Sequence, residues 1–204
     1  MLYEQRIERK LAAQPRLAHA VIARLQARTA DGVRDEVTAQ RELQRLSRPI
    51  ALSAVRIGRA LPAARLLRYY REAQRRFHVR WEVLAAVNFV ESAFNKLRSR
   101  STAGAQGPMQ FLPSTWRRYG LGGDVHDPHD AILGAANYLH AAGAPRSYRR
   151  ALFAYNPSAL YVDAVLRYAR QIEREGRAYF DYYSRQVFVR TPAGVRRVTG
   201  PGLR

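Results

Sequence analysis

The sequence predicts a mainly α chain, on three observations. Apolar residues recur at helical spacing between Pro and Gly punctuation along most of the length. Strand-type alternation is confined to QVFVRTPAGVRRVTG near the end. The apolar content, 47% of 204 residues, suffices for one buried core with an extra helical segment.

Pro15 opens a helix carrying Leu17, Val21 and Leu25, which the sequence closes at Gly32. The next holds Val33, Val37, Leu43 and Leu46 and stops before Pro49. Residues 1–47 read as packing or coiled-coil helices whose charges form a wet face. Pro62 opens a helix in which Leu66, Leu67, Tyr70, Ala73 and Phe77 make one stripe. WEVLAAVNFVESAFN (81–95) follows, with Val83, Val87, Val90 and Phe94 as its core stripe. Leu84, Asn88, Glu91 and Asn95 fall about a quarter-turn away, since residues advance about 100° each around the axis. Residues 101–123 read as loop with a short helix at PSTWRRYG. Asp127 before Pro128, with Asp130 at the third helical position, is a ready-made helix start. A helix over roughly 145–156 ends at YNPS, and another carries Leu160, Val162, Val165, Leu166, Tyr168 and Ile172. The last segment turns at Pro-Ala-Gly into a small β-hairpin. The expected organisation is an N-terminal helical extension (1–60), a central domain (61–180) and a tail with the hairpin (181–204).

A formal charge of +19, from 35 basic and 16 acidic residues, implies attraction to a polyanion. Arg outnumbers Lys 33 to 2, a bias that genomic base composition also produces. The least basic window is 101–150, so the charge surrounds the loop without filling it. Basic and aromatic residues do not interleave in a nucleic-acid reader motif, so no specific nucleic-acid binding is expected. Zero cysteines exclude disulfides and thiolate metal sites. Arg interrupts every apolar run short of the ~20 residues a membrane span needs. The first thirty residues lack the apolar core of a secretory signal.

Between residues 79 and 158 the acidic residues are Glu82, Glu91, Asp124, Asp127 and Asp130. The Asp/His cluster at DVHDPHD has the composition of a metal site, but capping accounts for it without one. Glu82 lies at the start of its helix. Glu91 alone is mid-helix beside an apolar face. Partial burial raises a carboxyl's pKa, as a general acid requires near neutral pH. Behind it, Gly104 and Gly107 allow close backbone approach to a ligand. Met109 offers an adaptable apolar contact, Gln110 a donor and acceptor for sugar groups, and Tyr155 and Asn156 a second polar pair. Glycosidic cleavage normally uses two carboxylates, but a substrate acetamido group can replace the second.

The ordered set ES, STAGAQGPMQ, FLPSTW, DPHDAILGAANYL and ALFAYN closely resembles the motifs of lytic transglycosylase catalytic domains with a lysozyme-like fold, over about residues 62–175. The resemblance implies that Glu91 is the catalytic acid/base. It puts Ser101, Met109 and Gln110 on the glycan-contacting loop, and Tyr155 and Asn156 near the glutamate and the N-acetyl group. The chain departs from the pattern in one extra residue between Glu91 and Ser101, and in Pro157-Ser158 where Ala-Gly is usual. Pro108 before Met109 stiffens the loop. The implied activity is non-hydrolytic cleavage of peptidoglycan between N-acetylmuramic acid and N-acetylglucosamine, leaving 1,6-anhydro ends, with no cofactor or metal and in an extracytoplasmic location. Expected partners are glycan strands, anionic wall polymers held by the Arg-rich flanks, and a protein contacted by the N-terminal helices. The rival readings are a hydrolytic muramidase with Asp124 or Asp127 positioning water, a silent wall-binding module, and a helical nucleic-acid binder supported by charge alone.

Overall fold

The computed structural model describes residues 2–202 and places ten α-helices before one hairpin in that span. The helices are α1 (Leu2–Ala13), α2 (Pro15–Ile22), α3 (Ala27–Leu46), α4 (Ala63–Phe77), α5 (Trp81–Ser92), α6 (Pro113–Tyr119), α7 (Pro128–Ala141), α8 (Tyr148–Tyr155), α9 (Ala159–Arg174) and α10 (Ala178–Ser184). Strands β1 (Phe188–Thr191) and β2 (Gly194–Arg197) pair antiparallel, with Thr191 opposite Gly194 across the predicted Pro-Ala-Gly turn.

Several boundaries differ from the sequence reading, among them the helix expected over 81–95, which stops at Ser92. The expected stop at Gly32 is absent: α3 runs through it, and the chain breaks at residues 23–26 instead. A mid-helix Gly costs only about 1 kcal/mol relative to Ala. Here α3 lies along α9, where Gln171 Nε2 donates to the Gly32 carbonyl (3.3 Å) and Arg167 meets Asp35 (2.8 Å), so tertiary contact offsets the cost. Helices α1 and α10 were not read as separate elements. Their packing depends on Leu11 and Ala12, and on Tyr179 and Tyr182, which are buried against partners distant in sequence.

The main core gathers α4, α5, α7, α8, α9 and α10, with Ala39 of α3 joining it. A second, smaller cluster of Leu11, Ala12, Ala18 and Val37 ties α1 and α2 to α3. Helix α5 crosses the centre of the main core. Residues 83–88 are buried on every face, so the expected division into a core stripe and an adjoining stripe does not hold there. A helix apolar all round has no wet side. The linker between α3 and α4 is stitched down rather than loose: Ile57 bridges Leu97, and the Ile50 amide donates to the Arg190 carbonyl of β1 (2.9 Å).

Candidate active site

Helix α5 carries Glu91 in its last turn and ends because Ala93, Phe94 and Asn95 all turn left-handed, with φ of 49°, 62° and 67°. Three such non-Gly residues in succession are strained, and the strain is held by burial. Phe94 is wholly buried against Phe89, and the Asn95 amide donates to Ser92 Oγ (2.9 Å).

One turn behind the glutamate, Asn88 is a buried junction. It accepts from the Tyr70 hydroxyl (2.6 Å) and donates through Nδ2 to the Pro108 carbonyl (2.8 Å). Ser92 Oγ donates to the same carbonyl (2.6 Å). On the other side the Tyr155 hydroxyl donates to the Met109 carbonyl (2.6 Å). Two neighbouring carbonyls of the loop are thus pinned from α5 and from α8. The loop itself is a tight reversal, closed by paired backbone bonds between Gln106 and Phe111. It requires left-handed backbone at Gly107 (φ 78°) and Gln110 (φ 50°).

At Gly107 a Cβ would stand 1.9 Å from the Val125 carbonyl oxygen, so both the φ and the space exclude a side chain. Gly107→Ala is expected to destabilise the chain by about 2–3 kcal/mol, read as a lower urea midpoint at constant m.

The Glu91 carboxyl is part-buried and accepts one hydrogen bond, from the Tyr161 hydroxyl to Oε1 (2.6 Å). Burial raises its pKa to about 7, and the Tyr161 bond partly opposes the rise by favouring the carboxylate. The Tyr155 and Tyr161 phenols are held well above their ordinary value, chiefly by burial and next by the nearby Glu91 charge, so both stay neutral donors. Glu91, Tyr161 and Asn156 line one open cavity of about 400 Å³.

The other predicted site residues are placed differently. Met109 is wholly buried, so its expected side-chain contact with a ligand is corrected: it is core, and only its carbonyl acts near the site. Ser101 is exposed, and its hydroxyl accepts from the Ala105 amide (3.0 Å), closing a local turn. Gln110 turns its amide back onto the Gly107 carbonyl (3.0 Å). None of Ser101, Gly107, Gln110 or Tyr155 lines the cavity at Glu91. Tyr161 was missed, because on α9 it falls on the same apolar stripe as Val165 and Tyr168. The departure at Pro157-Ser158 has a local cause: Ser158 caps α9, accepting from the Tyr161 amide (3.4 Å).

The Asp/His cluster behaves as a cap. Asp127 accepts from the amides of His129 (2.8 Å) and Asp130 (3.1 Å), while Asp130 Oδ2 accepts from the Asp124 amide (2.9 Å). His129 pairs with Glu72 (3.0 Å). The ligand atoms of Asp127, His129 and Asp130 lie within 4.8 Å of one another, and one oxygen of each Asp accepts from backbone amides.

The site thus sets one carboxyl, bonded by a tyrosine, at the edge of a buried helical core. Comparison with protein families places the chain: the family model described as "Transglycosylase SLT domain" matches residues 68–176. The chain belongs to that family, and its fold is lysozyme-like. No solved structure matches the chain. The family acts on peptidoglycan, which is the substrate its membership implies. Among the described residues no helix is long and apolar enough to cross a membrane.

Proposed function

We propose that the chain is an extracytoplasmic lytic transglycosylase in which Glu91 is both acid and base. The observation that carries this reading is a single carboxyl held protonated near neutral pH by burial, at the wall of an open cavity. The protonated Glu91 donates to the oxygen linking N-acetylmuramic acid to N-acetylglucosamine, and that C1–O bond breaks. The acetamido oxygen stabilises the electron-poor C1 of the muramic residue. The Glu91 carboxylate then takes the proton of the C6 hydroxyl, whose oxygen closes on C1. Glu91 ends protonated, and no water enters the product.

The capping geometry supports this course over hydrolysis. The two acids that would position water are Asp124 and Asp127. Both are exposed, both accept from backbone amides, and neither lines the cavity with Glu91. Mass spectrometry of purified wall digested by the protein is expected to give muropeptides one water lighter than hydrolytic ends. Reducing ends that carry the added water would assign the rival muramidase reaction.

Tyr161 is the positioning residue. Its hydroxyl fixes one carboxyl oxygen and favours the ionised form, so Tyr161→Phe raises the Glu91 pKa further. The alkaline limb of kcat/KM is expected to move to higher pH, while the rate below it falls roughly tenfold. A purely structural role would lower the rate without moving the limb.

A further inference from the structure

The Glu91 cavity does not end with the family-matched segment. Its far wall is made by the segments that flank it: Arg9 of α1, Gln40 and Gln44 of α3, Ser47 and Phe188 of β1. Arg9, Gln44, Ser47 and Phe188 also line a second cavity of about 610 Å³, so the two lie side by side and share part of one wall. That second cavity carries five cations, Arg9, Lys10, Arg41, Arg45 and Arg190, and no carboxylate lines it.

We propose that this cationic pocket is an accessory subsite for the carboxylates of the peptide stem carried by the glycan strand, built by residues outside the glycan-cleaving domain. The inference rests on the reading of the Glu91 cavity as a glycan site. Muramic acid bears its peptide on the lactyl ether, so a strand seated at Glu91 brings anionic substituents along the groove with it. None of the five cations forms an ion pair among the described residues. Glu42, on the same helix, is the acid within electrostatic reach of Arg41 and Arg45, and it faces Arg167 at 3.7 Å.

The pocket is partly preformed. Arg9 lies over the Phe188 ring, with Cζ 4.5 Å from its centre, and burial holds its guanidinium below the usual value. A desolvated cation without an acid partner is costly, and an incoming carboxylate offsets that cost. Arg41 donates to the Ala12 carbonyl (3.1 Å) and Arg190 to the Ser47 carbonyl (3.4 Å), which fixes two more heads. Gln40 also lines the Glu91 cavity, and its buried Oε1 accepts nothing among the described residues. Carboxylates, rather than wall-polymer phosphates, are favoured because they arrive covalently joined to the chain that Glu91 holds.

The test measures binding of soluble glycan oligomers to the full chain carrying Glu91→Gln, by calorimetry. Three ligands are compared: strands with free stem carboxylates, the same strands with those carboxylates amidated, and strands with the stems removed. The carboxylate strand is expected to bind about tenfold tighter than either other. Lys10→Glu/Arg45→Glu is expected to erase that ratio, and the milder Lys10→Gln/Arg45→Gln pair, a control on folding, to lower it about threefold. Equal binding of the three ligands, or a ratio that survives both variants, overturns the inference. Cleavage by the wild-type chain is scored beside it. Cleavage without stem dependence speaks against the subsite alone, and stem-dependent binding without cleavage speaks against the lytic reading alone.

Discussion

Glu91→Gln is expected to reduce glycan cleavage by about a thousandfold or more and, at neutral pH, to make the chain more stable. The loss of activity follows because Gln can neither give nor take the proton. The gain in stability follows from the sign of the linkage. The folded-state pKa of about 7 lies above the ordinary carboxylate value, so the native chain binds a proton that the unfolded chain has already released. The resulting cost is small below the unfolded pKa, grows as pH rises, and is complete once pH passes the folded value. Gln carries no such cost, and its carbonyl still accepts from Tyr161. Thermal unfolding at pH 5 and pH 8 is expected to show near-equal stability at the first and an advantage of up to about 2–3 kcal/mol for the variant at the second. A variant no more stable than wild type at pH 8 would show that the carboxyl is not held protonated by burial.

Arg185→Ala is expected to cost about 3–5 kcal/mol, the largest stability effect of any single substitution considered. Arg185 follows α10 and reaches back to the N-terminal helices, meeting Glu36 Oε1 (2.5 Å) on α3 and Glu8 Oε2 (2.9 Å) on α1. Its guanidinium also lies over the Tyr182 ring, and the Tyr182 hydroxyl donates to Glu36 Oε2 (3.0 Å). Even with Arg185 present, burial and the nearby Glu36 charge push Glu8 up to about 7. Removing the arginine leaves the enclosed Glu8 carboxyl beside Glu36 without the cation that opposes its rise, so the Glu8 pKa goes higher still. The damage is therefore pH-dependent, worst above neutrality and relieved as acid protonates Glu8. Urea denaturation is expected to show a larger deficit at pH 8 than at pH 5. A deficit independent of pH would assign the loss to packing instead.

The central helices were legible because punctuation and apolar stripe agree there. Pro62, Pro113 and the Asp127-Pro128 pair each sit at or beside a helix start. Gly32 misled because a weak local cost was overruled by docking on α9, which no window of sequence displays. Glu91 stood out because a carboxyl in the apolar run NFVESAF has no structural reason of its own. Tyr161 did not, since nothing in its neighbours tells a core ring from one whose hydroxyl reaches a distant acid. Met109 was misjudged for the opposite reason: beside glycines it reads as a wall residue, whereas the loop folds its side chain inward and offers its backbone. The cationic pocket was invisible because it combines α1, α3 and β1, and only tertiary structure brings Arg9 beside Phe188.

One contact sets the order of events during synthesis. Gln5 of α1 embraces the backbone of Gln186, donating to its carbonyl (2.7 Å) and accepting from its amide (3.1 Å), across 181 residues. At roughly 5–20 residues per second, a ribosome needs on the order of 10–40 s to deliver the second partner after the first. Throughout that interval α1 can pack on α2 and α3, while its Gln5 amide lacks the Gln186 backbone. The wall that α1, α3 and β1 lend to the Glu91 cavity can therefore close only after the chain has been made past residue 188, long after Glu91 itself has been delivered.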